Sequence, residues 1–120
     1  MRKRILIVDD EKDLTFLMGD LLKEEGYVVL STNSAPQGLE MALKNEPDLI
    51  VLDVMMPVIN GYNFCRLLKT QAQYKKIPII MVTSRVDEND QKIGSEVGAD
   101  AYIPKPFQSE ILLKKIKELV

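Results

Sequence analysis

The chain has 120 residues, 46% hydrophobic and 28% charged, which is the size and balance of one compact domain with its own core. Its 16 basic and 18 acidic residues leave a formal charge of -2 without a continuous basic helical face, which argues against direct nucleic-acid binding. The lack of any histidine excludes a Cys/His metal site or nucleophile, and a single cysteine, Cys65, excludes an internal disulfide.

Met1-Arg2-Lys3-Arg4 has the charge of a signal-peptide n-region, but the apolar run Ile5 to Val8 stops at once on Asp9-Asp10-Glu11. The run therefore reads as a first strand. With no apolar stretch long enough to span a membrane, the expected compartment is the cytoplasm. From Glu11 to Glu25 the spacing of Leu14, Leu17, Met18, Leu21 and Leu22 predicts a helix with one apolar stripe, and Gly26 is its left-handed stop. Phe16 falls nearly opposite that stripe, so it is either an ordinary exposed apolar residue or a docking contact for a partner.

Tyr27 to Ser31 reads as a second strand. Ser34 is a candidate N-cap of a second helix, Gln37 is placed to close a capping box, and Leu39, Ala42 and Leu43 face inward. The run Leu49 to Leu52, rich in β-branched residues and bounded by prolines, predicts a strand buried on both faces and ending on Asp53. A third helix from Tyr62 to about Ala72 buries Phe64, Leu67 and Leu68, with Cys65 expected at or near the surface.

Ile77 to Val82 is a fourth strand, ending on Thr83-Ser84, in which Pro78 is tolerable only near the start. Asp87 caps a fourth helix of unusual polarity, where only Ile93 and Val97 share an inward face. That helix is the least firmly anchored and the most able to shift. After Gly98, Asp100 to Ile103 forms a fifth strand and Pro104-Lys105-Pro106 a loop. The last helix buries Leu112, Ile116 and Leu119, leaving Lys114, Lys115 and Lys117 as a solvated face. Alternation of strand and helix throughout predicts a doubly wound α/β domain with a parallel sheet, filling residues 1–120.

Ligands of such sheets sit beyond the carboxyl ends of the strands. Those ends carry Asp9-Asp10, Ser31-Thr32, Asp53, Thr83 and Lys105. If the strand leading to Asp53 lies beside the first, three carboxylates, a hydroxyl and an ammonium converge in one crevice. Carboxylates so close repel, and one of them takes up a proton unless a cation intervenes. Mg²⁺ suits the site because it prefers oxygen, uses few carboxylates and keeps positions for water and phosphate. Its charge plus that of Lys105 balances the three acids, and a carboxylate so flanked is set up to accept a phosphoryl group.

These motifs, Ile-Leu-Ile-Val-Asp9-Asp10-Glu11, Asp53-Val-Met-Met-Pro57 with Gly61, Met-Val-Thr83-Ser84 and Gly98-Ala-Asp-Ala-Tyr102-Ile-Pro-Lys105-Pro106-Phe107, resemble in order and spacing the receiver domains of two-component response regulators. The resemblance covers essentially the whole chain. It implies a flavodoxin-like α/β/α sandwich with strand order 2-1-3-4-5. It implies that Asp53 is phosphorylated by a phosphohistidine of a sensor histidine kinase or histidine phosphotransfer protein. Asp10, Asp53 and the Val54 carbonyl would hold Mg²⁺, with Mn²⁺ an expected substitute and Asp9 acting through water. Lys105 would pair with the phosphoryl oxygens. Thr83 would bond the phosphoryl group and draw Tyr102 from an exposed to a buried rotamer. Met55 and Arg85 would influence phosphoryl lifetime. From the residues alone, Met55 and Met56 are equally candidates for core filler, and for Met56 that is the preferred reading. The resemblance also implies a cis Lys105-Pro106 bond, and a downstream protein target reading the fourth helix, fifth strand and last helix.

Ile59 is apolar where many such domains carry an acid, which leaves the chemistry untouched. An aspartyl-nucleophile hydrolase would need a D-x-D arrangement after the first strand, which Asp9-Asp10-Glu11 does not match. A flavin or nucleotide module lacks its phosphate loop. A degenerate receiver that only binds partners is disfavoured because every expected acidic, hydroxyl and lysine position is filled. The expected role is a phosphorylation switch rather than a conventional enzyme, though it would catalyse its own phosphorylation and dephosphorylation. It would act alone, in a relay, or as the receiver of a longer DNA-binding regulator. The basic tip at Met1 suggests a native start, while the stop at Val120 inside a helical pattern leaves truncation open.

Overall fold

The computed structural model describes residues 2–85 and 87–120, so Met1 and the start it suggests lie outside the described residues. Strand and helix alternate along the chain: β1 Arg4–Val8, α1 Lys12–Glu24, β2 Val28–Thr32, α2 Ala35–Asn45, β3 Leu49–Leu52, α3 Gly61–Lys69, β4 Ile79–Thr83, α4 Glu88–Glu96, β5 Ala101–Pro104 and α5 Ser109–Leu119. All neighbouring strands are parallel, in the order β2-β1-β3-β4-β5. This is the expected flavodoxin-like architecture.

Period-two alternation divides the strand side chains between two cores. Leu6, Val8, Ile50, Leu52, Ile79 and Met81 pack with Ala42 of α2 and with Phe64, Cys65 and Leu68 of α3. Ile5, Ile7, Leu49, Val51, Ile80 and Val82 pack with Met18 and Leu22 of α1 and with Leu112 and Ile116 of α5. The central strands are covered on both sides, which is why they read as unbroken apolar runs.

Local chemistry sets the helix starts. Ser34, Asn60 and Asp87 each accept the N–H three residues on, from Gln37 at 3.3 Å, Asn63 at 2.9 Å and Asp90 at 2.8 Å. Each such cap contributes about 1 kcal/mol. The capping box at Ser34 does not close as expected. The Ser34 N–H goes to Thr32 Oγ1, and the Gln37 side chain accepts from that same hydroxyl.

Other expectations need correction. Leu17 and Leu67 are exposed, because Thr15 and Gly19 take the inward places on α1, and Phe64, Cys65 and Leu68 take them on α3. Cys65 is 0% exposed, well inside the core rather than near the surface. Asp53 lies one residue beyond β3 rather than at its end, although its N–H still bonds the Val8 carbonyl at 3.0 Å.

Candidate functional site at the strand ends

The register aligns Val8 with Thr32 on one side and Leu52 on the other, so the residues after β1 and β3 emerge side by side. Asp9 and Asp53 are 1% and 4% exposed, while Asp10 faces solvent. Carboxylate oxygens of Asp9, Asp10 and Asp53 lie within 4.8 Å of one another, close enough to hold one metal ion. From the far side of β4, the Lys105 N–H bonds the Thr83 carbonyl at 2.9 Å, and the Lys105-Pro106 peptide is cis, as expected. The Lys105 ammonium reaches Asp9 Oδ2 at 2.9 Å, Glu11 Oε1 at 3.4 Å and Asp53 Oδ2 at 3.5 Å.

The first loop is held from several directions. Asp9 Oδ1 accepts the Glu11 N–H at 2.9 Å, and the Asn33 amide donates to the Asp9 carbonyl at 2.8 Å and to Thr15 Oγ1 at 3.1 Å. Asp9 Oδ2 is a buried acceptor with no directed hydrogen bond; its contact with Lys105 is one of charge. Burial raises the Asp9 pKa above the ordinary carboxylate range, and the Asp53 charge adds to this against the pull of Lys105 and the Glu11 N–H. Burial works against the Lys105 charge, but the Asp9 carboxylate 2.9 Å away and the charges of Asp53 and Glu11 outweigh it and raise the pKa. An oxygen set with a buried unsatisfied acceptor and excess negative charge fits a hard divalent cation.

The loop after Asp53 corrects one expected ligand. The Val54 carbonyl accepts N–H groups from Met56 at 3.0 Å and Gly61 at 2.9 Å, which occupies both of its lone pairs. It is therefore not available to a metal. Gly61 is required here, since a Cβ would stand 2.5 Å from the Asp53 carbonyl oxygen and 2.7 Å from Val54 Cα. Met55 is exposed and Met56 buried, and the Met55 N–H turns back to Asp53 Oδ1 at 3.4 Å.

Thr83 is buried at the end of β4, where its Oγ1 accepts the Arg85 N–H at 3.2 Å. Tyr102 is half-buried and donates its hydroxyl proton to the Arg85 carbonyl. Phe16 stands apart on α1, 73% exposed beside the exposed Leu17. The structure thus brings together Asp9, Asp10, Asp53 and Lys105, links Thr83 to them through the backbone, and leaves Phe16 outside. Sequence reasoning missed Glu11 and Asn33, whose long-range partners carry no local signal. It also missed Tyr62 and the buried Asp90 that accepts its hydroxyl.

An acidic pocket with a lysine, at the carboxyl ends of a 2-1-3-4-5 parallel sheet, defines the receiver class of signalling domains. The family model described as response regulator receiver domain matches residues 5–117, and the chain belongs to that family. It is 41% identical over 117 residues to the transcriptional regulatory protein CpxR of Escherichia coli, covering 98% of this chain and 49% of that protein. Against the alkaline phosphatase synthesis transcriptional regulatory protein PhoP of Bacillus subtilis, identity is 38%, over 100% of this chain and 49% of that one. The chain spans about half the length of these curated relatives. Among solved structures, chemotaxis protein CheY4 of Vibrio cholerae superposes with a TM-score of 0.94 at 32% identity, covering 100% of both chains. Among the described residues, no helix is long and apolar enough to cross a membrane.

Proposed function

We propose that this receiver domain is a phosphorylation-activated switch whose phosphoacceptor is Asp53. The observation that carries the reading is the convergence of three carboxylates and the Lys105 ammonium at adjoining strand ends. A carboxylate oxygen of Asp53 forms the new P–O bond as the P–N bond of a donor phosphohistidine breaks. Lys105, already between Asp9 and Asp53, is within reach of the phosphoryl oxygens, where its charge offsets theirs. Asp10 and Asp53 would hold Mg²⁺ or Mn²⁺, with Asp9 acting through water. With the Val54 carbonyl taken, any backbone ligand from this loop would have to come from another carbonyl. The ion, when bound, neutralises phosphoryl oxygens and fixes their orientation.

Thr83 meets the phosphoryl group, and its movement reaches Tyr102 through Arg85, whose N–H and carbonyl contact one residue each. Met55 and Arg85 flank the site and modulate phosphoryl lifetime. The donor is a sensor histidine kinase or a histidine phosphotransfer protein in the cytoplasm, and a protein target reads the face of α4, β5 and α5. Within residues 1–120 the domain catalyses its own phosphorylation and dephosphorylation. The test is acetyl phosphate with Mg²⁺: the mass rises by one phosphoryl group, and Asp53→Asn abolishes the rise. Unchanged mass in the wild type under excess donor overturns the reading.

A second reading is favoured by the half-length match to two transcriptional regulators: the domain is the receiver of a longer DNA-binding protein. The length of its open reading frame decides this.

A further inference from the structure

Asp90, in the first turn of α4, is a carboxylate that phosphoryl chemistry does not use, yet it is only 6% exposed. Its own N–H is already capped by Asp87, so its side chain is not needed to start the helix. Instead Asp90 Oδ1 accepts the Tyr62 hydroxyl at 2.9 Å and faces the Arg85 guanidinium at 3.8 Å. The Tyr62 oxygen is also 3.2 Å from the Tyr102 hydroxyl, which donates to the Arg85 carbonyl. Arg85, Tyr102, Tyr62 and Asp90 therefore close a polar ring between the β4–α4 loop, β5, α3 and α4.

Each tyrosine hydroxyl has one proton to donate. With Tyr62 donating to Asp90 and Tyr102 to Arg85, the two hydroxyl oxygens meet without a proton between them. The alternative keeps every donor paired: Tyr102 donates to Tyr62, Tyr62 to Asp90, and the Arg85 carbonyl is released. Tyr102 thus has two acceptors within reach of one ring position, the second being the Tyr62 oxygen, which Asp90 orders by taking the Tyr62 hydroxyl on Oδ1 at 2.9 Å and on its backbone carbonyl at 3.2 Å.

The Tyr102 ring is seated as well. A Cβ at Gly94, one turn after Asp90, would stand 2.9 Å and 3.0 Å from two of its ring carbons, so the glycine forms a notch for it. The only buried residues of α4 itself are Asp90 and Gly94, so polar contacts carry much of its attachment. Tyr62 directly follows Gly61, whose N–H bonds the Val54 carbonyl at 2.9 Å and which leaves no room for a Cβ beside the Asp53 backbone. The ring therefore joins α4 to the residue that follows the Gly61 turn after Asp53.

We infer that Tyr62 and Asp90 are positioning residues that hold Tyr102 inward against α4 before phosphorylation, setting the resting bias of the switch. The inference rests on the proposed phosphorylation of Asp53. By linkage, whatever favours the inward state of Tyr102 also tightens the site for a phosphoryl group.

The test uses the full chain labelled with 3-fluorotyrosine and followed by fluorine NMR, titrated with beryllofluoride and Mg²⁺ as phosphoryl mimic. There are four tyrosines, and Tyr102→Phe assigns the relevant signal. In Tyr62→Phe, which deletes one oxygen, the Tyr102 signal of the unliganded protein moves toward that of an exposed tyrosine, and the beryllofluoride dissociation constant rises about 5-fold or more. Asp90→Ala moves both in the same direction but less far, because the backbone carbonyl at position 90, 3.2 Å from the Tyr62 hydroxyl, is still there to accept it. Asp90→Asn, which keeps an oxygen acceptor, stays within about 2-fold of wild type, a rescue that loss of packing alone would not produce. A wild-type Tyr102 signal and affinity in Tyr62→Phe overturn the inference. Failure of the wild type to bind beryllofluoride overturns the phosphoacceptor reading instead, and the unliganded Tyr102 signal still decides whether Tyr62 and Asp90 hold Tyr102 inward.

Discussion

The Lys105 ammonium lies 2.9 Å from Asp9 Oδ2, nearer than any other carboxylate oxygen it contacts. In the metal-free protein this lysine is the main positive charge within a buried acidic pair, and it does part of the work a cation would do. Lys105→Ala leaves Asp9 and Asp53 without that partner, which costs about 3 kcal/mol of stability at neutral pH. Mg²⁺ then restores more stability to the variant than it adds to wild type, because the competing ammonium is gone. Urea unfolding with and without Mg²⁺ measures both, and an unchanged Mg²⁺ increment in the variant would contradict this account.

Asp9 and Lys105 give stability opposite ends of a pH profile. The Asp9 pKa is raised in the fold, so the folded state keeps this proton longer than the unfolded chain does. Metal-free stability therefore falls as pH rises from about 4 through the raised value, and Asp9→Asn flattens that limb. The Lys105 pKa is also raised, so its contribution is complete below about 10.4 and is lost as pH climbs through the raised value. Thermal melts across pH in a chelating buffer check the two limbs. A wild-type slope persisting in Asp9→Asn would exclude Asp9 as its source.

The parts of this molecule visible in its sequence are those where one physical force dominates. Ile5 to Val8, Leu49 to Leu52 and Ile79 to Val82 are buried on both faces, so composition alone marks them. Asp9, Asp53 and Lys105 meet because strand ends meet, which follows from topology. Leu17 failed because α1 turns small residues, Thr15 and Gly19, toward the sheet, and close approach there counts for more than the apolar stripe. Cys65 failed similarly: its thiol finds the Val97 carbonyl at 3.2 Å across the core, and burial pushes its pKa up to about 11. The Val54 carbonyl failed because a carbonyl's direction depends on the turn that Gly61 closes, which residue types do not encode.

Gly61 and Gly19 make a matched pair of probes. A methyl group on Gly61 collides with the Asp53 carbonyl and Val54 Cα, backbone atoms that cannot swing aside. Gly61→Ala therefore costs about 2 kcal/mol and displaces Asp53, slowing phosphorylation by acetyl phosphate beyond what the stability loss explains. On α1, the nearest atom to a Cβ at Gly19 is Val29 Cγ1 at 3.7 Å, an ordinary contact. Gly19→Ala adds about 0.5 to 1 kcal/mol of stability through helix propensity and leaves phosphorylation unchanged. Equal phosphorylation rates in the two variants would show that the Gly61 contact does not shape the site.

Phe16 separates recognition from chemistry. It is 73% exposed beside Leu17 on α1, and neither side chain belongs to the buried cores. An apolar pair left in water costs the free protein solubility, and burying it against a donor protein removes that cost. Phe16→Ala should leave stability within about 0.5 kcal/mol of wild type, since nothing in the core depends on the ring. Phosphorylation by acetyl phosphate, which needs no docking, should proceed at the wild-type rate, while transfer from the cognate phosphohistidine protein slows about 10-fold, the loss expected of an aromatic interface anchor. Equal slowing with both donors would place the defect at Asp53 and remove Phe16 from the docking surface.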